Sequence, residues 1–186
     1  TIENIARALD NNKQTDMLVL DFSKAFDTVA HQRLLLKLDY YGIRNNNLNW
    51  FRSWLVGRSQ QVVLDGESSS KTPVKSGVPQ GTVLGPLCFL VYINDMGNNL
   101  SSSASLKLFA DDSLLFMTVE SKEDALTLQE NLNKLVSWAS SWQMKFHPSK
   151  CYVLNIHKGK SPVIHNYTML GENLKSVTHI PYIGID

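Results

Sequence analysis

Two adjacent acids, Asp111 and Asp112, stand between the apolar runs Leu106–Ala110 and Leu114–Phe116. That pattern restricts the local fold to two strands joined by a tight turn, with carboxylates at its tip. A third acid, Asp21, ends the run Met17-Leu18-Val19-Leu20, which reads as a separate buried strand over residues 17–22. Three carboxylates at strand ends suit hard divalent cations, and two magnesium ions so held perform phosphoryl and nucleotidyl transfer. Each acid also has a plainer reading. An aspartate after a strand can cap or turn the chain, and Asp is common in hairpin turns. Against the plain reading of the pair, Phe109-Ala110 and Ser113-Leu114 are not turn-promoting neighbours, and no Gly or Asn is present. Adjacent carboxylates also repel and raise each other's proton affinity unless cations neutralise them.

The 186 residues suit one domain with its own core. No apolar run approaches the roughly 20 residues of a membrane span, so no membrane partner is expected. Thr1-Ile2-Glu3-Asn4 is neither a secretion signal nor a basic transit peptide, and the missing initiator Met reads as a piece of a longer chain. Cys88 and Cys151 form no CxxC or His/Cys ligand pattern. This points away from disulfides and zinc and toward an intracellular setting, nuclear or cytoplasmic. The net charge of +1 does not by itself announce a nucleic acid. Its distribution says more. Arg33, Lys37, Arg44, Arg52 and Arg58 lie in a stretch whose only acid is Asp39, and Lys145, Lys150, Lys158 and Lys160 in one with none. Such side chains meet phosphates or form solvated helix faces.

Periodicity and punctuation predict helices over about 2–9, 28–41, 48–56 and 84–95, with Gly42 and Gly57 as stops. Residues 60–64 and 71–74 read as paired strands about the turn Asp65-Gly66. Ser121 to Asp124 has the form of a capping box. Behind it Ala125, Leu128, Leu132, Leu135, Ala139 and Trp142 recur at helical spacing. Strands near 151–156, 167–170 and 182–185 complete an α+β sandwich, a mostly antiparallel sheet with helices on one face. The loop Ser76-Gly77-Val78-Pro79-Gln80-Gly81 can bring backbone close to a ligand, since its glycines lack side chains. Gln80 adds an amide that both donates and accepts.

These pieces, in this order, resemble a reverse transcriptase palm. Leu20-Asp21-Phe22-Ser23-Lys24-Ala25-Phe26-Asp27 is similar to the family's first catalytic motif. Ser76 to Leu87, with Tyr92-Ile93-Asn94-Asp95, resembles its template- and nucleotide-contacting motif. Phe109 to Asp112 resembles the catalytic hairpin, His147-Pro148-Ser149-Lys150 the fourth motif, and Tyr182-Ile183-Gly184-Ile185 the primer grip. Phe before Ala-Asp-Asp, and Val-Leu-Gly-Pro after Pro-Gln-Gly-Thr, are most similar to non-LTR (LINE-like) retrotransposon enzymes.

The resemblance implies an RNA-directed DNA polymerase that extends a DNA primer on an RNA template with deoxyribonucleoside triphosphates. Asp21 and Asp111 would bridge two Mg2+ ions (Mn2+ in their place is possible), with the carbonyl of Phe22 as a further ligand and Asp112 in support. The amides of Ser23, Lys24 and Ala25 would meet the triphosphate. Phe26 would stack under the deoxyribose and exclude a 2′-hydroxyl; its plainer reading is a core aromatic. Gln80 and Gly81 would line the nucleotide and template site, and Lys150 would face the leaving pyrophosphate. Tyr182, Ile183 and Gly184 would hold the primer. The family pattern also places basic fingers before Thr1 and a thumb after Asp186, with an endonuclease elsewhere in the parent polyprotein. On that expectation residues 1–186 are a palm with adjoining fingers segments, and alone they grip a primer–template weakly. The alternative is a catalytically dead remnant that only binds nucleic acid or a partner; the three acids argue against it. A nucleotide cyclase with a related palm would lack the Gly-Val-Pro-Gln-Gly loop. An RNA-recognition module would carry stacking aromatics that are absent.

Overall fold

The computed structural model describes residues 2–159 and 161–179. In chain order the elements are α1 (Ile2–Asp10), β1 (Gln14–Leu20), α2 (Ala25–Thr28), α3 (His31–Tyr40), α4 (Asn45–Leu55), β2 (Ser59–Gln60), β3 (Val63–Leu64), β4 (Glu67–Ser68) and β5 (Thr72–Pro73). There follow α5 (Leu84–Ile93), β6 (Ser105–Phe109), β7 (Asp112–Val119), α6 (Lys122–Ser141), a 3₁₀ turn (Pro148–Lys150), β8 (Tyr152–Ile156), β9 (Thr168–Met169), β10 (Glu172–Asn173) and β11 (Lys175–Ser176). Two compact units divide them: Thr1–Ser23 with Met96–Asp186, and Lys24–Asp95.

The first unit is built on a five-stranded sheet of order β11-β8-β1-β7-β6, antiparallel except for the β11–β8 pair. β1 lies at its centre, with Leu18 opposite Leu115 on one side and Val153 on the other. Alternation along the pleat sends Val19, Leu114 and Phe116, with Met17, to one face and the fully buried Leu18, Leu20 and Leu115 to the other. α6 packs along β7 and α1 against β1. The stripe predicted for α6 is the buried one: Leu128, Leu132 and Leu135 have no exposed surface. Each such leucine contributes about 1.5–3 kcal/mol of burial. Its start is fixed by the capping box, Ser121 Oγ accepting from the Asp124 amide while Asp124 Oδ2 accepts from the Ser121 amide.

β1 begins three residues earlier than its apolar run suggests. Gln14, Thr15 and Asp16 are buried although polar. Asp16 accepts from Tyr167 Oη at 2.7 Å, Gln14 Nε2 at 2.7 Å and Asn155 Nδ2 at 2.8 Å. Gln14 in turn holds the backbone of Val163 through both ends of its amide. These partners come from up to 151 residues away, so no local pattern announces them.

In the second unit α3 packs against α4 and α5, and α2 against α5. The helix expected over 28–41 begins at His31, after the short α2. Lys37 is buried and engaged, donating to the Tyr92 carbonyl and to Asp95 Oδ1 at 2.5 Å. The strand expected over 60–64 is split into two exposed pairs, β2 with β5 and β3 with β4, the second turning at Asp65-Gly66. The strand expected at 182–185 lies outside the described residues.

Candidate active site

In the first unit the end of β1, the acidic hairpin and the segment around the 3₁₀ turn come together around Asp21. β1 stops at Leu20, and the next residues are held by the segment around the 3₁₀ turn rather than by the sheet. The Asp21 carbonyl accepts from the His147 amide at 2.9 Å, and the Ser23 amide donates to the Lys145 carbonyl at 2.8 Å. Phe22 is buried, bridged to Phe146 and stacked on it at 4.2 Å. Cys151 Sγ, fully buried, accepts from the Asp21 amide at 3.4 Å. Lys150 Nζ reaches Asp21 Oδ2 at 3.5 Å from a largely exposed position. The segment 145–151 therefore fixes the backbone of Asp21 and sets one cation beside its carboxylate.

The acidic hairpin forms as expected. Phe109 pairs with Asp112, which leaves Ala110 and Asp111 as the turn. Ala110 takes a left-handed conformation, φ 50°, where Gly or Asn would sit more easily; the Cβ there costs roughly 1–2 kcal/mol. Strain of this kind persists where the surroundings enforce it and gathers at functional sites. Burial, followed by the charges of Asp111 and Asp21, holds the Asp112 carboxyl above the usual carboxylate range. Asp112 therefore lies near enough to both Asp111 and Asp21 to feel their charges at the end of the sheet. Asp21, Asp112 and Lys150 line a cleft of about 520 Å³ with Tyr152, Val177 and His179. The last three were not expected. They come from β8 and the segment after β11, where no sequence pattern marks them.

Among the described residues no three His, Cys, Asp or Glu side chains form a ready-made metal cage. The donor set still fits magnesium. Its oxygens are hard and anionic, and magnesium is usually held by one or two carboxylates together with waters and substrate phosphates rather than by an all-protein shell. A carboxyl held up by burial and by its acidic neighbours, as Asp112 is, gains from any cation that enters.

The other nominated residues lie in the second unit, apart from the primer-grip residues Tyr182, Ile183 and Gly184, which fall outside the described residues. Lys24 is left-handed, φ 50°, and precedes Ala25, the first residue of α2. Phe26 is half-buried and stacked on Phe89 at 4.5 Å. Gln80 Nε2 donates to Asp27 Oδ1 at 2.9 Å. The two loop glycines differ. A side chain on Gly77 would meet the backbone of Asp27 at 2.9 Å, whereas nothing lies within 4 Å of that position on Gly81. Gly77 therefore admits the protein's own backbone, and Gly81 alone is open to a ligand.

Three expectations are corrected here. The Ser23 amide is engaged by Lys145 and is not a donor for a triphosphate. Lys37 is buried in its pair with Asp95. The Arg58 guanidinium donates to the carbonyls of Leu55 and Gly77, both at 2.9 Å, so it anchors the loop rather than facing solvent phosphates. Lys158, paired with Asp10 at 3.1 Å on the surface, keeps the solvated setting that was one of its two readings. The physical cause is common: a donor near an unpaired carbonyl or carboxylate satisfies it, and position in sequence does not reveal that neighbour.

The two cysteines follow their burial. Burial pushes the thiols of Cys88 and Cys151 up to about 11. The thiolate is the reactive form, so at about pH 8 roughly one thiol in a thousand is ionised. The native chain should react with neither equivalent of a disulfide probe on a timescale at which the denatured chain reacts with both. Prompt labelling of either cysteine in the native state would refute this.

A family model described as reverse transcriptase (RNA-dependent DNA polymerase) matches residues 1–185. A protein of transposon BS in Drosophila melanogaster, named a probable RNA-directed DNA polymerase, is 30% identical over 200 residues, covering 98% of this chain and 21% of its own length. The RNA-directed DNA polymerase of the mobile element jockey in the same organism is 32% identical over 151 residues, 77% of this chain and 16% of its own. The chain thus spans about a fifth of these curated relatives or less. A structure of telomerase from Candida albicans, in complex with a fragment of telomeric RNA, superposes with a TM-score of 0.61 at 14% identity, over 93% of this chain and 32% of that one. At that identity the likeness is one of fold. Among the described residues no helix is long and apolar enough to cross a membrane.

Proposed function

The chain belongs to the reverse transcriptase family, on its non-LTR retrotransposon branch, and from that premise we propose that it is the catalytic palm of an RNA-directed DNA polymerase. The observation that carries the proposal is the convergence of Asp21, Asp111 and Asp112 at one end of the sheet, with Lys150 beside Asp21. Asp21 and Asp111, with the Phe22 carbonyl, would hold two magnesium ions, and Asp112 would support them. When bound, such ions lower the pKa of a primer 3′-hydroxyl and neutralise phosphate charge.

The protein's own contribution is position and charge. The segment 145–151 fixes where the Asp21 carboxylate can point. Lys150, on the same cleft, would neutralise the leaving pyrophosphate or donate a proton to it. With Ser23 engaged, the amides of Lys24 and Ala25 would contact the triphosphate. Phe26 presents one face to Phe89, and its other face would carry the deoxyribose. Gln80 and Gly81 would meet the nucleotide and template, Tyr182 to Gly184 the primer, and the rest of the parent polyprotein would supply further grip on the duplex.

Primer extension on an RNA template tests the reading. A protein carrying this chain in its longer natural context should extend a DNA primer with deoxynucleotides only when a divalent ion is present. Phe26→Val should raise ribonucleotide use relative to deoxynucleotide use about tenfold or more, because a pocket that excludes by bulk loses discrimination when the bulk goes. An unchanged ratio would show that Phe26 serves only to pack on Phe89.

A further inference from the structure

A second cleft, of about 430 Å³, belongs to the first unit and shares no lining residue with the acidic one. It is formed along the C-terminal half of α6. Trp138 and Trp142 stand one helical turn apart and bring two half-buried indole rings to it, their centroids 6.4 Å apart. Lys134, one turn before Trp138, adds an ammonium. Two other side chains of α6 hold the surroundings in place. Asn131, 1% exposed, accepts from the Ser101 amide and donates to Ser101 Oγ, both at 2.8 Å. Those bonds seat the segment before β6 on α6, and with it Asn99, which also lines the cleft. Gln129 is held by the backbone of Thr168, accepting from its amide at 2.8 Å and donating to its carbonyl at 2.9 Å. A backbone amide only donates and a carbonyl only accepts, so the orientation of Gln129 is set. Its Nε2 then donates to Asn133 Oδ1 at 2.9 Å. The end of Asn133 turned away from Gln129 is therefore Nδ2, a donor, and Asn133 lines the cleft.

None of the residues lining this cleft carries a carboxylate. Rings to stack on, one cation and an oriented amide donor suit a ligand with flat faces and anionic acceptors. Unpaired nucleobases present such faces, and the phosphates between them such acceptors. We propose that this cleft binds a single strand of nucleic acid, with a base stacked on Trp138 or Trp142 and a phosphate at Lys134 and Asn133 Nδ2. The volume is that of a small-ligand site, so one nucleotide of the strand enters it. A duplex does not suit it, because paired bases are already stacked on each other. With a single lysine the electrostatic share is small, and stacking supplies most of the affinity. The site goes beyond the polymerase reading, since its residues are not those of the acidic cleft and binding there needs no chemistry.

The measurement is fluorescence anisotropy of a short labelled oligouridine, with the protein in its longer natural context. Excess blunt RNA–DNA duplex is present to occupy surfaces that read phosphates alone. A 5-iodouridine version, irradiated and followed by peptide mapping, locates the contact, and the expected crosslink is to Trp138 or Trp142. Trp138→Ala should weaken binding about tenfold, and Trp138→Phe, which keeps a ring, by no more than about threefold. Lys134→Gln should reduce the slope of log affinity against log salt by about 0.7, the share of one phosphate on a single strand. Asn133→Asp keeps the bond from Gln129 and puts a carboxylate where the donor stood, so it should weaken binding about tenfold. Asn133 is exposed, so this variant decides the matter if Trp138→Ala lowers the melting temperature. The inference is overturned by a crosslink confined to other residues, by unchanged affinity in Asn133→Asp, or by displacement of the oligouridine by the duplex. Self-association that Trp138→Ala abolishes would overturn it too, making this face an interface between copies. Primer extension is not read in any arm, so failure here leaves the polymerase reading standing, and the reverse.

Discussion

Asp21→Asn is expected to lower primer extension by at least about a thousandfold, since loss of a bridging carboxylate removes several kcal/mol of transition-state charge stabilisation, and each 1.36 kcal/mol is about tenfold in rate. Asp111→Asn should do the same. The fold should barely notice. The Asp21 carboxylate pairs with Lys150 at 3.5 Å, the lysine side chain being 63% exposed, and such pairs contribute about 0–1 kcal/mol. What anchors Asp21 is its backbone, through His147 and Cys151, and asparagine leaves that untouched. Activity and stability should therefore separate: extension abolished, melting temperature nearly unchanged, magnesium binding weakened by calorimetry. Asp112→Asn should cost less rate and should not destabilise, because it removes a carboxylate that burial and its acidic neighbours already disfavour. Near-normal extension by Asp21→Asn or Asp111→Asn, with magnesium present, would sink the assignment.

Gly77→Ala should produce the largest loss of stability available from a single methyl group in the loop 76–81. Its φ is +87°, and the added Cβ would stand 2.9 Å from both Asp27 Cα and the Asp27 carbonyl oxygen and 3.0 Å from that of Phe26. All three are backbone atoms, which cannot swing aside. The left-handed conformation costs roughly 1–2 kcal/mol and the overlap about 1–3 more. Relief by shifting the loop would also disturb the Gly77 carbonyl, which accepts from His31 Nε2 and Arg58 Nη2, both at 2.9 Å. We expect about 3 kcal/mol or more, a fall of roughly 10 °C in melting temperature for a chain of this size. Gly81→Ala is the control. It shares the positive φ, +75°, but has nothing within 4 Å, so only the conformational cost of about 1 kcal/mol applies. Thermal unfolding of the two variants side by side decides the matter; a Gly77→Ala no worse than Gly81→Ala would mean that the loop does not pack on Asp27 as described.

The glycine contrast shows how a loop can be recognised and still be misread. Ser76 to Gly81 is visible in the sequence as a loop that needs close backbone approach, and both glycines look alike there. Which of them is open and which faces Asp27 depends on a segment fifty residues upstream. The basic side chains behave the same way. Lys37 and Arg58 look like solvent cations, and the fold places Asp95, the Tyr92 carbonyl and the Gly77 carbonyl against them. Cys151 could not have been singled out either, since a lone thiol carries no pattern until it is seen beside the Asp21 amide.

What the sequence by itself determined is whatever depends on near neighbours. The stripe and capping box of α6, the strands on either side of Ala110-Asp111, the acid at the end of β1 and the ordered motifs of the family are all local, and side-chain periods of 3.6 and 2 residues make them legible. What only the tertiary structure decided is whatever depends on partners distant in the chain. Gln14 and Asp16 extend β1 because Tyr167, Asn155 and Val163 satisfy them where a carboxylate would otherwise be costly to bury. The Ser23 amide is engaged because the Lys145 carbonyl stands opposite it. Gln80 donates to Asp27, a partner fifty-three residues upstream. A hydrogen bond is short-ranged and directional, so it selects one partner in space, and the chain order of the two residues carries no trace of the choice.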